Sequence, residues 1–540
     1  MHLQSGRLDA AFDGFSALLL VNPQDAAGYS NLGLVLRARK QEVQAVQAYD
    51  RALALQPDFA QAWANRGNVL RDMARHKEAE QSYRKALAIQ PNFASAWHGL
   101  GLALGDLKQW QDALAAFDAA IAHKPEFAVA YLDRGNALRE LDRPEEALTS
   151  YDRALQSNDN YAQAWSNRGV VLKQLGRMDD ALQSYDRALT CKPDFVDAMV
   201  NCSTLLKEML QLDASMQLTQ RALALDANSS GAHLNLAICY LLKGDFPNGF
   251  QHFEWRWKTD QLRDGARKFT QPIWLGQELP LGSTVLLHAE QGLGDTLQFC
   301  RYAQIVAQRG LRVVLEVQAP LVELMRGVRG VSEVFVRGGT LPAFDAHCPL
   351  MSLPLASETT VQTIPAWPRY LQADAERRDS WKSRLGATER KRVGLVWSGR
   401  PEHKNDHNRS IALDVFAQML DARFEYHCLQ KEIRPADQER LFVHPEISMW
   451  SDQLQSFSDT AALVECLDLV IAVDTSVAHL AAALGKPVWL LLPFSPDWRW
   501  LLDRQDTPWY PGMRLFRQAA TGDWSSALLP VRSALAAFSI

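Results

Sequence analysis

Gly292-Leu293-Gly294-Asp295 sets a carboxylate directly behind two glycines, where an apolar run from Thr284 to His288 gives way to a helical stretch from about Thr296 to Gln308. Two kinds of chemistry fit such an aspartate: a helix N-cap, which needs only acceptor oxygens, or a general base, which needs an open approach. Gly292 and Gly294 let a substrate come close to the backbone, but no third glycine opens the helix, so the dinucleotide fingerprint is not met and hydride transfer has little support. A second run, Asp474-Thr475-Ser476-Val477-Ala478-His479, also leaves an apolar strand and opens a helix. Free amides there, assisted by the Thr475 and Ser476 hydroxyls, suit a diphosphate. His479, one turn in, either touches phosphate or ribose or is a hydrogen-bonded core histidine. A third segment, Trp397 to Ser410, is a cationic loop containing Ser398, Lys404 and Arg409, suited to neutralising charge on a departing nucleotide. Its alternative is a solvated surface loop, natural for Glu402, His403 and Asp406; Arg409, next to the following helix, is the stronger candidate. The spacing of its histidines and acids matches no compact ligand motif, so no metal is expected.

The elements that must position these residues follow from the apolar pattern. Strand-like runs at Thr284 to His288, Arg312 to Val317, Val393 to Trp397, Phe424 to Leu429, Leu469 to Val473 and Val488 to Leu492 alternate with helical stretches. That alternation predicts parallel α/β sheets, in which ligands bind at the carboxyl ends of the strands. The polar segments fall there, as does Gln430 at the end of its own strand.

A different rule governs the first half of the chain. Pro23, Pro57, Pro91, Pro125 and Pro193 lie on a 34-residue grid, and Gly33, Gly67, Gly101, Gly135 and Gly169 keep the same register. Tyr29, Trp63, Trp97, Tyr131 and Trp165 stand one helical turn before these glycines, and each is expected to pack over the bare turn its glycine leaves. Second helices carry Ala45, Tyr49 and Ala52 and their counterparts through Ala181, Tyr185 and Ala188, small residues flanking one aromatic. Six full repeats are expected from residue 25 to 228, preceded by Ala10 to Asn22 as the second helix of an earlier one, so that the chain begins mid-repeat or lacks an upstream cap. Leu234 to Trp257 reads as a last, atypical hairpin. Its end, Phe253-Glu254-Trp255-Arg256-Trp257, is too aromatic for an exposed cap and is expected to dock on the second domain. Asn31, Asn65, Asn167, Asn201 and Asn235 form a column interrupted by Gly99 and Asp133. Amides spaced by one repeat can bond an extended peptide through its main chain; the alternative is inter-helix packing.

The composition, 540 residues with 47% hydrophobic, 22% charged and a net charge of −5, leaves room for two or three buried domains. The absence of a basic run argues against nucleic acid as a partner. No charged-then-apolar leader and no bilayer-length apolar run are present, which reads as cytoplasmic without a membrane span. Seven cysteines without paired spacing fit reduced thiols.

Period, glycine, aromatic and proline together resemble the tetratricopeptide repeat. The Gly-Leu-Gly-Asp loop, the cationic loop and Asp474 through Pro487 resemble the heptosyltransferase-type GT-B glycosyltransferases over residues 280 to 517. Bacterial proteins joining such repeats to such a domain are more similar still, sharing His288 to Asp295, the Phe-Glu-Trp-Arg-Trp hairpin and Pro496-Asp497-Trp498-Arg499-Trp500. The resemblance implies an α-solenoid at 1–262 followed by an α/β GT-B fold of two Rossmann-like halves, an acceptor-side half at 263–385 and a donor-nucleotide half at 386–540. It implies Asp295 as catalytic base and Gly292, Gly294, Ser398, Lys404, Arg409, Gln430, Asp474, Thr475, Ser476 and His479 on a nucleotide-sugar donor, Gln430 by way of the base, with no metal or other cofactor. The asparagine column is similar to that of eukaryotic O-linked N-acetylglucosamine transferases, implying a protein acceptor modified on Ser or Thr, with flagellin or another surface protein suggested by the bacterial relatives. A homodimer through the repeats stays open, as do two rival readings: an inactive scaffold, and a transferase for lipid or polysaccharide, the latter weakened by the lack of a basic amphipathic helix. Sugar, nucleotide, acceptor and stereochemical outcome are not specified.

Overall fold

The computed structural model describes residues 8–263, 267–402 and 405–538, and the chain divides into two compact units, Met1–Leu205 and Leu206–Ile540. The first unit is an α-solenoid of antiparallel helical hairpins, each pairing a first helix such as Ala60–Asp72 with a second such as His76–Ile89. Leu8–Val21 stands where a second helix is expected ahead of the first full repeat.

The packing corrects one expectation. What lies over each repeat glycine is the aromatic of the following helix: a Cβ on Gly67 would meet the Tyr83 ring at 2.9 Å, and one on Gly101 the Phe117 ring at 2.5 Å. The tryptophan one turn earlier does something else. Its indole N–H donates to the carbonyl that ends the preceding repeat, Trp63 to Pro57 at 2.9 Å, Trp97 to Pro91 at 2.7 Å and Trp165 to Asp159 at 2.8 Å. The glycine column is thus a seat for the partner ring, which a larger residue would overpack. Between the two helices of a hairpin the chain turns through a left-handed residue, at Lys40, Ala74, Lys108, Asp142, Gly176, Leu210 and Gly244, again 34 apart. Only Gly176 and Gly244 have the residue type that favours this conformation, so the turn register is nearly silent in the sequence.

The second unit holds the end of the repeats and two parallel sheets. β1 (Thr284–His288), β2 (Arg312–Val317), β3 (Val331–Val336) and β4 (Ala346–Pro349) form the first, in the order β3-β2-β1-β4. β5 (Arg392–Val396), β6 (Glu425–Cys428), β7 (Ile447–Ser448), β8 (Leu469–Val473), β9 (Val488–Leu492) and β10 (Met513–Arg517) form the second, in the order β10-β9-β8-β5-β6-β7. All six strand runs read from the sequence are present within a residue or two; β3, β4, β7 and β10, which are short or partly exposed, were not signalled. Alternate residues of β8 go to separate cores, Leu469, Ile471 and Val473 to one face and Val470 and Ala472 to the other. The last hairpin, Ser230–Leu242 and Phe246–Phe253, belongs to this unit as its aromatic end predicts: Phe250 meets Trp498 edge-on at 5.5 Å and Phe246 stacks on Trp509 at 5.9 Å.

Candidate functional site

The carboxyl ends of β5 and β8 carry the first part of the site. β5 runs into Trp397-Ser398, and Gln430, just past β6, holds that corner: its Oε1 accepts the Trp397 and Ser398 amides at 2.7 and 3.0 Å, and its Nε2 donates to Ser398 Oγ at 2.9 Å. Gln430 and Ser398 are both buried, their polar atoms turned on one another. At Gly399 the loop crosses itself. A Cβ there would lie 2.4 Å from Asp406 Oδ1 and 2.6 Å from Arg409 Nη2, so any larger residue would push these two side chains out of place. Asp406, buried, gathers Ser410 Oγ at 2.9 Å, Arg409 Nε at 3.4 Å and the Arg434 guanidinium. Arg409 then reaches forward, its Nη1 donating to the Asp474 carbonyl at 2.9 Å. Lys404 lies outside the described residues.

The Asp474 carbonyl stands at the entrance to the Ser476–Ala483 helix. The N-cap Thr475 makes no side-chain bond to the first-turn amides, and its hydroxyl points back to the Val473 carbonyl at 3.2 Å. A helix start with its cap hydroxyl turned away, and a guanidinium beside it, is an anion site in outline. The Asp474 carboxylate is turned elsewhere, accepting the Trp500 indole N–H at 2.8 Å; burial and the nearby Asp497 push its pKa up. His479 is buried, Nδ1 on Tyr510 Oη at 2.8 Å and the ring stacked on Trp500 at 5.4 Å. Burial, then Arg499, drives its pKa well below the ordinary histidine range, so the ring is neutral.

Asp295 sits in the first turn of the Leu293–Phe299 helix after β1 and reaches back to its start, Oδ2 accepting the Gly292 amide at 2.8 Å. That is half of a capping box, since Gly292 has no side chain to complete it. Oδ1 meets Arg499 Nη2 at 2.5 Å. Arg499 is buried and fully employed: it also donates to Asp497 at 2.9 Å and Gln298 at 2.6 Å, with its guanidinium over Trp498. Burial opposes its charge, but Asp497 and Asp295 outweigh burial and raise its pKa. Gly294 brings the two site helices together: a Cβ on it would lie 3.0 Å from the His479 ring and 3.5 Å from Ser476 Cα. Sequence reasoning missed Arg499 as a partner for Asp295, although the Pro-Asp-Trp-Arg-Trp motif containing it was visible.

The asparagines of the repeats are mostly half-buried or buried. Asn65 accepts from Gln61 at 3.0 Å; Asn167 accepts from Gln163 at 3.0 Å and donates to Asn136 at 2.8 Å; Asn235 accepts from Lys207 at 3.1 Å. Asn31 and Asn201 are half-buried. Where the column breaks, His98 Nε2 pairs with Asp133 at 2.7 Å and the Tyr83 ring fills the space over Gly99.

Comparison with known proteins separates the two units. Residues 2–58, 98–161 and 132–194, and residues 60–93, match tetratricopeptide repeat models. Residues 455–491, which include the Asp474–His479 turn, match the model of glycosyltransferase family 9 (heptosyltransferase). Protein FlbA of Caulobacter vibrioides is 25% identical over 332 residues, 56% of this chain and 54% of FlbA, so the chain spans about half the length of that relative. Among solved structures, YrrB, a TPR protein with an unusual peptide-binding site, is 27% identical over 35% of this chain and 97% of its own, with a TM-score of 0.31. PilF of Pseudomonas aeruginosa is 22% identical over 38% of this chain and 94% of its own, with a TM-score of 0.35. No described helix is long and apolar enough to cross a membrane. The first unit is therefore a tetratricopeptide-repeat array, a kind of module that binds proteins, and the α/β unit carries a short glycosyltransferase-like signal over one turn of the site.

Proposed function

We propose that the protein is a glycosyltransferase that moves a sugar from a nucleotide-sugar donor to a Ser or Thr of a protein held by the repeats. The observation that carries this reading is Arg409, folded back over Gly399 so that its guanidinium stands at the start of the Ser476–Ala483 helix. Helix amides and a guanidinium converging on one place suit a diphosphate leaving group. In transfer, Asp295 takes the proton of the acceptor hydroxyl, the hydroxyl oxygen bonds the sugar's anomeric carbon, and the bond from that carbon to the diphosphate breaks, its electron pair leaving on the nucleotide. Gln430, Ser398 and Asp406 position the Arg409 loop, while Arg499 aims Asp295. No step draws on a metal ion or another cofactor.

The test is hydrolysis and transfer by the purified protein with UDP-, GDP-, ADP- and CMP-sugars. Arg409→Ala is expected to lower turnover about 100-fold, the scale of losing one stabiliser of developing charge. Asp295→Asn is expected to abolish transfer while donor binding stays within a few fold. A second reading has its own observation: both Asp295 oxygens are engaged, by Gly292 and Arg499, which favours a scaffold that has kept the fold without the chemistry. No hydrolysis of any donor, with acceptor binding retained, decides for the scaffold.

A further inference from the structure

Behind the two site helices a chain of buried polar groups ends on His479. Arg301, buried, donates to the Trp509 and Gln298 carbonyls at 2.6 and 2.8 Å and to Tyr370 Oη at 2.9 Å, and lies between the Tyr370 and Tyr510 rings, 4.5 Å from each. Each phenol has one proton, and its neighbours decide where that proton goes. Tyr370 has the Leu297 carbonyl at 2.9 Å, which can only accept, so its proton is used there. Tyr510 has two choices, His479 Nδ1 at 2.8 Å and Tyr370 Oη at 3.5 Å. The second is at the limit of a hydrogen bond, and that oxygen already takes an Arg301 N–H. The Tyr510 proton therefore goes to His479 Nδ1. A neutral imidazole that accepts at Nδ1 carries its own proton on Nε2.

The other edge of the ring gives the same answer. Nε2 lies 3.8 Å from Asp474 Oδ1, too far for a hydrogen bond but near enough for a carboxylate to favour an N–H over a lone pair. The second Asp474 oxygen is taken by the Trp500 indole, on whose ring His479 stacks. Burial, with Arg499 and Arg301 as nearby positive charges, keeps the imidazole neutral. Nε2 makes no hydrogen bond among the described residues. The residue beside it is Gly294, where a Cβ would stand 3.6 Å from Nε2 and 3.5 Å from Ser476 Cα. Glycine thus leaves the N–H uncovered at the start of the Ser476–Ala483 helix.

We propose that Tyr510 is a positioning residue of the donor site, holding His479 as the Nε2–H tautomer so that the ring offers the diphosphate an N–H without adding a charge. The diphosphate as ligand rests on the reading of the α/β unit as a nucleotide-sugar transferase; the tautomer does not. Without the Tyr510 hydroxyl the Nδ1–H form gains population. That form turns a lone pair on Nε2 toward phosphate oxygens, a repulsive contact.

The full-length protein is labelled with 15N at histidine, and the His479 tautomer is read from its two-bond 1H–15N correlations, assigned by their loss in His479→Gln. The Nε2–H form is expected in the wild type, with the Nδ1–H form appearing in Tyr510→Phe, a change that removes one oxygen and keeps the ring. An Nδ1–H form in the wild type overturns the proposal, and an unchanged pattern in Tyr510→Phe does so too, by assigning the role to Asp474. The second readout is the Tm response to UDP, GDP, ADP and CMP. Tyr510→Phe should weaken the apparent Kd of the nucleotide that binds by about fivefold. Combined with His479→Gln, whose amide always has an N–H to offer, it should change that Kd by less than about twofold. Equal losses in both backgrounds mean that Tyr510 acts through packing alone, and overturn the proposal. No response to any nucleotide overturns the transferase reading and the diphosphate with it, while an Nε2–H form lost in Tyr510→Phe still supports the role of Tyr510.

Discussion

The repeats and the α/β unit employ arginine in opposite ways. In the repeats, Arg66 clasps Asp50 and Ser82 at 2.7 and 2.8 Å, Arg134 clasps Asp118 and Ser150 at 2.6 Å each, and Arg168 clasps Asp152 and Ser184 at 2.7 Å each. Every partner lies sixteen residues before or after, and the aspartates are open to water. In the α/β unit, Arg499 is buried and joins Asp295, 204 residues away in the chain, to Asp497 and Gln298. A local, repeated and screened pair contributes little and has copies; a buried, long-range hub contributes much and has none. Stability in the first unit is therefore spread over many similar contacts, whereas the candidate site rests on single residues.

The largest expected effect comes from removing the hub. Arg499→Met should cost about 3–5 kcal/mol by stranding Asp295 and its buried neighbours, read as a lower urea midpoint. A loss under about 1 kcal/mol would erase the contrast between the units. Next is a pH effect specific to the α/β unit. Folded His427 resists protonation down to about pH 4, while the unfolded side chain takes a proton near pH 6.5. Between these values the unfolded state binds more protons, so stability falls as pH drops from 6.5 toward 4, by about 3 kcal/mol in full. His427→Gln should remove this one ring's share of the slope and leave the part due to other buried histidines such as His288 and His479, and an unchanged slope would show the ring to be accessible to protons.

Within the repeats the expected effects shrink. Gly101→Leu drives a side chain into the Phe117 ring and should cost about 1–3 kcal/mol, measured by thermal unfolding. Ala74→Gly relieves a left-handed turn residue with φ 57° and should stabilise by about 1 kcal/mol. Smallest is Arg66→Met, expected near 0.5 kcal/mol because its carboxylate partner is half exposed; a loss as large as that of Arg499→Met would mean the clasps are not redundant.

The contrast also explains what the sequence disclosed. The 34-residue period showed the helices, because each repeat solves the same local problem with the same residue types. It did not show that Tyr83 rather than Trp63 lies over Gly67, since both fit the spacing and only the crossing of two helices chooses. The strands of the α/β unit were legible where both faces are buried and apolar, as in β8 and β9, and silent where neither face is fully buried, as in β3. Among site residues, the sequence marked Arg409, Asp295 and the Thr475–His479 turn by type and position. Their partners were beyond its reach: Arg499 for Asp295, Tyr510 for His479 and Ser398 for Gln430 are each set by long-range packing that no local pattern carries.

The central claim is a donor-phosphate site formed by Arg409 and the start of the Ser476–Ala483 helix. The most direct measurement is the Tm of the wild-type protein and of Arg409→Ala across UDP, GDP, ADP and CMP, each with and without EDTA. A rise in Tm with one nucleotide, unaffected by EDTA and weakened at least tenfold in apparent Kd by Arg409→Ala, is the expected result. No rise with any nucleotide, or a rise that Arg409→Ala leaves intact, contradicts it.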